Sequence, residues 1–428
     1  MNARAPLTLA VGALCAGLAL TTTGPGFAAG ASSGTSRGTS DRTKATTYAF
    51  QGSGYGTRII GGQLPASSGT TAYQHIGCTD LAGLNRTNDV GDATVPGLGT
   101  ASGVRTRVWT SARHGVVASH ARHTIAELTL ASSGLGSLTL DAIRSDAKAF
   151  HDGSGFHATT DTTIGGITFT PPVGQPQTLP APTPDQPVTI PGLATISLGT
   201  SATSHGAHAA AAKALALRID VVASGSSVKV ALSHAQLNDG LTGGVFRGHS
   251  NATRVVSALT DLVHSGPNPL SLMGCLGTGG VVRTKSLAGL NVGGQLVVDG
   301  LSSAQEGSQG DGRAHGFERA KIARIDLGGG QLIVNAIVGK ANVTRTSHGW
   351  VRNARGTQLG SITVGGQAQT FPPSGVIEIP GVARLERKVV TKTRTGISVV
   401  ALRITLLDGS GAVINLGEAA LRIDRPQG

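Results

Sequence analysis

The residues best able to do chemistry in this chain are two cysteines, two histidine pairs and one cationic run. Of three cysteines, Cys15 lies in an N-terminal apolar segment, which leaves Cys78 and Cys275. An even number of thiols in an oxidising compartment permits one disulfide, while two buried thiols acting as small apolar groups satisfy the same sequence. His120-Ala121-Arg122-His123 and His205-Gly206-Ala207-His208 have the i, i+3 spacing of helical metal sites. On a strand that spacing sends the two imidazoles to opposite faces, so solvent-facing histidines and no metal centre are expected. Arg384, Lys388, Lys392 and Arg394 belong to the densest cationic run. Strand periodicity puts the four on one face, a stripe suited to an anionic wall polymer or to guarding a sheet edge. Aromatic side chains are nearly absent beside it, which argues against single-stranded nucleic acid.

Other catalytic patterns are missing. Within the two expected domains no Gly-x-Ser-x-Gly elbow occurs, and the chain has no Asp-x-Asp-x-Asp-Gly calcium loop. Asp299, Glu306, Asp311 and Glu318 sit in a polar stretch that is expected to be a solvated loop. Gly52-Ser53-Gly54-Tyr55-Gly56 is too short for a phosphate loop and is expected to be a tight turn. No catalytic residue and no cofactor is expected.

The elements that must carry these residues are strands. Leu215, Leu217, Ile219 and Val221 alternate, Ala223 to Ser227 turns the chain, and Val228, Val230 and Leu232 resume the alternation, a β-hairpin with one buried face. Val400, Leu402, Ile404 and Leu406 repeat the pattern before an Asp408-Gly409 turn. Ile125 to Leu130 with Leu138 to Ala142, and Ile322 to Leu327 with Leu332 to Ala336, form a second matched pair. His208 to Ala214 has a helical composition, but its counterpart near Thr395 to Val400 is strand-like, so pairing is expected to override alanine's propensity over at least the second half of the segment. Prolines between Pro171 and Pro191 remove ladder donors, which predicts a surface loop.

Matches recur in order when the chain is laid on itself. Thr57-Arg58 meets Thr253-Arg254, Gly77-Cys78 meets Gly274-Cys275, Arg86-Thr87 meets Arg283-Thr284, and Ala142-Ile143 meets Ala336-Ile337. Ile190-Pro191-Gly192 then meets Ile379-Pro380-Gly381, and Ala216-Leu217-Arg218-Ile219 meets Ala401-Leu402-Arg403-Ile404. This period is too long for a solenoid, so an internal duplication is expected: two tandem, homologous, all-β domains of sandwich or barrel type, at 47–240 and 244–422, with a Gly-rich join at 241–243 and a tail at 423–428. If the copies pack about a pseudo-twofold axis, the matched cysteines face each other and a bridge would staple the halves. Arg58, Arg254, Arg86 and Arg283 are expected to donate structural hydrogen bonds.

Composition sets the compartment and the excluded classes. The chain has 428 residues, 39% hydrophobic and 14% charged, which rules out wholesale disorder. Residues 1–28 carry Arg4, an apolar run from Leu7 to Leu20 and a small-residue site at Gly26-Phe27-Ala28, the order of a secretory signal peptide. Residues 29–46 are expected to be a flexible leader, and no integral membrane segment is expected after cleavage. Positive charge is uneven: residues 29–243 hold 14 basic and 12 acidic side chains, whereas 244–428 hold 20 and 11.

Three strings resemble the exported actinobacterial choice-of-anchor P family: Gly77 to Asn88, Val188 to Gly192, and Ala216 to Val221 with Val228 to Ala235. The resemblance covers both copies and implies a secreted, β-rich, surface-associated module of unassigned activity. The ending Asp424-Arg425-Pro426-Gln427-Gly428 lacks the sorting motif of anchored members. Together these readings predict a non-catalytic cell-envelope protein of structural or adhesive role, its second domain touching an anionic wall polymer. The alternative is a hydrolase of envelope polysaccharide with carboxylates brought together between the domains.

Overall fold

The computed structural model describes residues 43–60, 70–95, 99–132, 134–222, 225–256, 265–292, 296–310, 312–407 and 411–427. The expected signal peptide, Asp311 and the Asp408-Gly409 turn lie outside them. The first half holds β1 (Lys44–Ile60), β2 (Gln74–Ala82), β3 (Asn85–Val95), β4 (Gly99–Arg113), β5 (Val116–Ser132), β6 (Gly136–Asp152) and β7 (Gly155–Thr163). It continues with β8 (Gly166–Thr170), β9 (Gln177–Thr178), β10 (Val188–Ile190), β11 (Ala194–Leu198), β12 (Ala202–His205), β13 (Ala209–Val221) and β14 (Ser226–Asn238). The second half holds β15 (Val245–Val256), β16 (Ser265–Leu272), β17 (Arg283–Val292), β18 (Leu296–Gly310), β19 (Arg313–Leu327), β20 (Leu332–Thr346) and β21 (Gly349–Asn353). Then come β22 (Ile362–Val364), β23 (Gln367–Gln369), β24 (Val376–Ile379), β25 (Ala383–Lys392), β26 (Gly396–Leu406) and β27 (Val413–Asp424). The protein is all-β, and these strands build four antiparallel sheets.

Strand order is shared between the halves. The order β2-β1-β14-β13-β11-β10 has the same connectivity as β16-β15-β27-β26-β25-β24, and β3-β4-β5-β6-β8-β9 the same as β17-β18-β19-β20-β22-β23. Within each half, side chains from both sheets meet in a large apolar cluster, with a smaller one beside it. Leu217, Ile219 and Val230 lie against Ile125, Leu140 and Ile143 in the first, and Leu402, Ile404 and Leu416 against Ile322, Val334 and Ile337 in the second. The alternation of apolar residues produces this directly, since every second side chain points to the same face.

Alternation alone fails at mid-strand, where each sheet is creased. In β6, Leu138 and Leu140 point inward, then Ile143, Ser145, Ala147 and Ala149 do, and the phase slips at Ala142, whose φ is 49°. β20 slips identically around Ala336 at φ 53°, and the facing sheets slip at Ala231 (φ 54°) and Gly417 (φ 62°). One left-handed residue shifts the pleat and keeps the same chemical face inward. The crease needs small neighbours: a Cβ on Gly103 or Gly300 would lie 2.7 Å from the Cβ of Ala126 or Ala323 respectively. Between the sheets of the second half, Gly339 meets the Gly417 backbone so closely that any Cβ would strike its carbonyl oxygen. Gly339→Ala is therefore expected to lower stability by about 3 kcal/mol, because backbone cannot yield as a side chain does. Urea unfolding of the variant checks this.

Several expectations change here. The Gly52 to Gly56 string is the middle of β1 and not a turn; a Cβ on Gly52 would lie 2.6 Å from Val108 Cγ1, so the glycines permit close approach of β4. Strand β1 begins at Lys44, inside the stretch expected to be leader, and β27 runs to Asp424. The proline stretch is mostly exposed, yet Val188–Ile190 pairs at a sheet edge, the position where proline-flanked backbone is tolerated. Segment Ala209 to Ala214 is strand throughout, paired to β14 on one side and β12 on the other.

The carboxylates expected in a solvated loop lie in strands: Asp299 and Glu306 in β18, and Glu318 in β19. Glu318 is 0% exposed and Gln305, directly across from it, is also buried. The first half has Val108 across from Ala121 at this place. Ser250 Oγ donates to Glu318 Oε2 at 2.8 Å, whereas Glu318 Oε1 and Gln305 Oε1 have no hydrogen-bond partner among the described residues. Burial pushes the Glu318 carboxyl well above the usual carboxylate range, the Ser250 hydrogen bond acting against it.

Candidate functional site

The described residues form one compact unit, and the two halves meet along a seam fixed by three features. Cys78 in the middle of β2 is disulfide-bonded to Cys275 in the turn after β16, with Cα atoms 5.2 Å apart. The bridge is buried with Ala49 and Val245. Gln51 Oε1 lies 4.0 Å and 3.8 Å from the two sulfurs, and bonded sulfurs have no hydrogen to donate, so these are packing contacts. The join is held by two side chains: Gln309 Oε1 accepts hydrogen bonds from the amides of Thr242, Gly243 and Gly244, and the Arg345 guanidinium donates to the Gly243 carbonyl. The chain's last described residues close the seam, as Gln427 N donates to Asp80 Oδ2.

A groove of about 450 Å³ opens along this seam, lined by Asp80 from the first half and by Arg247, Trp350, Arg394, Arg422, Asp424 and Arg425 from the second. Strand pairing sets Arg247 of β15 directly across from Arg422 of β27. Like charges in that relation repel. One carboxylate stands between them, Asp424, 2.6 Å from Arg422 Nε and 3.7 Å from Arg247 Nε, and it also accepts from Thr395 Oγ1 at 2.8 Å. Arg247 Nε donates to the Cys78 carbonyl, which aims the guanidinium across the seam. Burial presses the Arg247 guanidinium below its usual value, with Asp424 pulling the other way. Trp350 Nε1 donates to the Ile423 carbonyl at 2.7 Å, and the Arg425 guanidinium lies over the Trp350 ring at 6.0 Å. Arg394 sits in the turn after β25, without a side-chain partner among the described residues. Four guanidiniums thus face two carboxylates, one of them committed to a backbone amide.

The corresponding positions of the first half are neutral. Gln51 lies directly across from Gln236 where Arg247 lies across from Arg422. Gln236 Nε2 donates to Asn238 Oδ1 at 2.9 Å where Arg422 pairs with Asp424. The same geometry is built once from amides and once from ions.

The expected stripe does not form. Arg384 lies across from Thr405 on the outer face of its sheet, and Lys392 across from Ile397, a residue of the inner face. The strand slips at Lys388, whose φ is 54°, and Arg394 lies beyond the strand's end. Strand periodicity cannot be carried through a left-handed residue, so the four cations are dispersed and only Arg394 lines the groove.

The first histidine pair divides as strand geometry requires, which overturns the expectation of solvent for His123, whereas the second pair spans the turn between β12 and β13 with both members exposed. His120 faces outward and stacks on Trp109, while His123 is buried and 2.6 Å from Thr106 Oγ1. His205 is exposed in β12, and His208 lies 3.0 Å from Asp239 Oδ1. No cluster of three metal-ligating side chains occurs among the described residues. Of the recurring arginines, Arg86 donates to the His75 carbonyl at 3.2 Å and Arg254 lies 3.8 Å from Glu418 Oε1. Sequence reasoning missed Arg247, Arg422 and Trp350. The signal available was the comparison of Gln51 with Arg247 and of Gln236 with Arg422 at the repeat's own spacing, where amide becomes guanidinium twice. No protein-family model matches the chain, and no curated protein matches it.

Proposed function

We propose that this chain is an exported, non-catalytic cell-envelope protein built from two β-sandwich copies of one duplicated domain, and that its seam groove holds an anionic group of an envelope polymer. The observation that carries the proposal is the Arg247 and Arg422 pair, set face to face with one shared carboxylate and joined at the rim by Arg394 and Arg425. Such a surplus of planar, fork-shaped donors gains most from phosphate or carboxylate. The shared strand order and the matched creases at Ala142 and Ala336 support duplication. Export rests on the signal-peptide pattern of residues 1–28, and an envelope role agrees with the choice-of-anchor P resemblance.

The hydrolase alternative needs a carboxylic acid free to deliver a proton in the cleft. In the groove, Asp424 accepts from Arg422 and Thr395, and Asp80 from the Gln427 amide. Among the described residues, the one carboxyl pushed far upward, Glu318, is enclosed in the second half's interior.

Binding to poly(glycerol phosphate) by isothermal titration tests the site. Arg247→Gln with Arg422→Gln installs the amides that the first half carries, so the fold is expected to survive. Affinity is expected to fall about tenfold or more, and the parent protein's affinity to weaken steeply with salt. Affinity unchanged by both removes the proposal.

A further inference from the structure

The outer face of the sheet formed by β3 to β9 carries a second cationic cluster, far richer in aromatic rings than the seam. Pairing aligns Arg107, Arg122, Asp146 and Asp161 in one row across β4, β5, β6 and β7, and Trp109, His120, Lys148 and Thr159 in the next. At the usual strand spacing such a row is about 14 Å long. His120 lies parallel to the Trp109 indole, with ring centroids 4.6 Å apart and planes within 4°. Arg107 and Arg122 stand over the same indole at 4.7 Å and 6.0 Å, and Lys148 over Phe150 at 4.1 Å. A depression of about 260 Å³ is lined by Trp109, His120, Arg122, Lys148, Thr159 and Thr160 among others.

Charge here is only half compensated. Asp146 serves two guanidiniums, being 2.6 Å from Arg122 Nε and in contact with Arg144 Nε. Arg107 Nε is hydrogen-bonded to the neutral Asn85 Oδ1 at 3.0 Å. Burial and the neighbouring Lys148, Arg107 and Arg122 hold His120 down to about 4, so its ring is neutral at pH 7 and stacks without adding a further charge.

We infer that this face binds an acidic glycan, with its acid group between Arg107, Arg122 and Lys148 and a sugar hydroxyl at Thr159, the residue of β7 across from Lys148. Cations alone would suit any polyanion. The indole and imidazole stack gives in addition an apolar platform beside a hydroxyl partner, a combination a sugar ring uses and a bare phosphate chain does not. The second half offers a reduced version of this surface, with Phe317 below Lys340 at 4.3 Å and Arg319 at 5.7 Å.

The chain has two tryptophans, Trp109 on this face and Trp350 in the seam groove, which makes the sites separable. In a Trp350→Phe background the remaining indole reports this face alone. Polygalacturonate is expected to change Trp109 fluorescence saturably, and Arg107→Ala with Lys148→Ala to weaken that binding about tenfold. Arg247→Gln with Arg422→Gln is expected to leave it unchanged, so failure here and failure of the seam proposal are distinct results. Absence of a saturable change, or equal binding of polyphosphate and polygalacturonate, overturns the inference.

Discussion

Replacing Cys78 and Cys275 by serine is expected to cost the folded protein about 2–5 kcal/mol. The two residues are 197 positions apart, so the bridge closes a long loop and restricts the unfolded chain strongly. Calorimetry should show a lower melting temperature for the variant, and the same drop for the parent protein under reductant. Because the bridge packs against Ala49 and Val245 at the seam, the variant is also expected to melt in two steps where the parent melts in one. Equal melting temperatures with and without reductant would show that the bridge contributes nothing.

Glu318→Gln is expected to act in the opposite direction, stabilising the protein by about 1–3 kcal/mol at pH 7. Burial raises the folded-state value of this carboxyl well above its unfolded value of 4.5. Below that value both states are protonated and the residue costs nothing. As pH rises, the unfolded chain ionises first while the folded chain keeps its proton, so stability falls until the folded value is passed. Glutamine has no such slope. Its amide can still accept from Ser250, and it brings a donor toward Gln305 Oε1, which has no partner among the described residues. Urea unfolding at pH 4 and pH 7 should show little difference between variant and parent at the lower pH and a clear gain at the higher. A variant no more stable than its parent at pH 7 would refute this account. The first half behaves in the reverse sense, because burial holds His123 down to about 3. Its contribution is present above the ordinary histidine range and is lost as pH falls toward that value.

Much of this architecture was legible in the sequence because β-strands announce themselves by alternation. The Leu215 to Val221 and Val228 to Leu232 runs form the expected hairpin, with Leu217 across from Val230 and Ile219 across from Val228. The strings used to align the chain with itself, Ala142-Ile143 with Ala336-Ile337 and Ala216-Leu217 with Ala401-Leu402, lie at the creases. Small residues are demanded there by close backbone approach, which accounts for their presence in both halves. What alternation could not supply was the phase slip itself. Ala142, Ala231 and Lys388 are not residue types that signal a left-handed conformation, so Arg384 and Lys392 were assigned to one face and occupy two. Glu318 illustrates the same limit. Its polar neighbours in sequence suggested solvent, and its place in β19 turned it inward. The groove was invisible for another reason: Arg247, Arg394 and Arg422 come from three separated strand ends, and only the seam assembles them.

The halves are linked by two covalent crossings, the peptide path through Thr242 to Gly244 and the sulfur bridge. A molecule nicked by a protease at that path would therefore keep its mass, its groove and its particle size in a non-reducing medium. It would part into two fragments only where thiols are abundant, so integrity outside a cell and turnover inside one would be read by different chemistry.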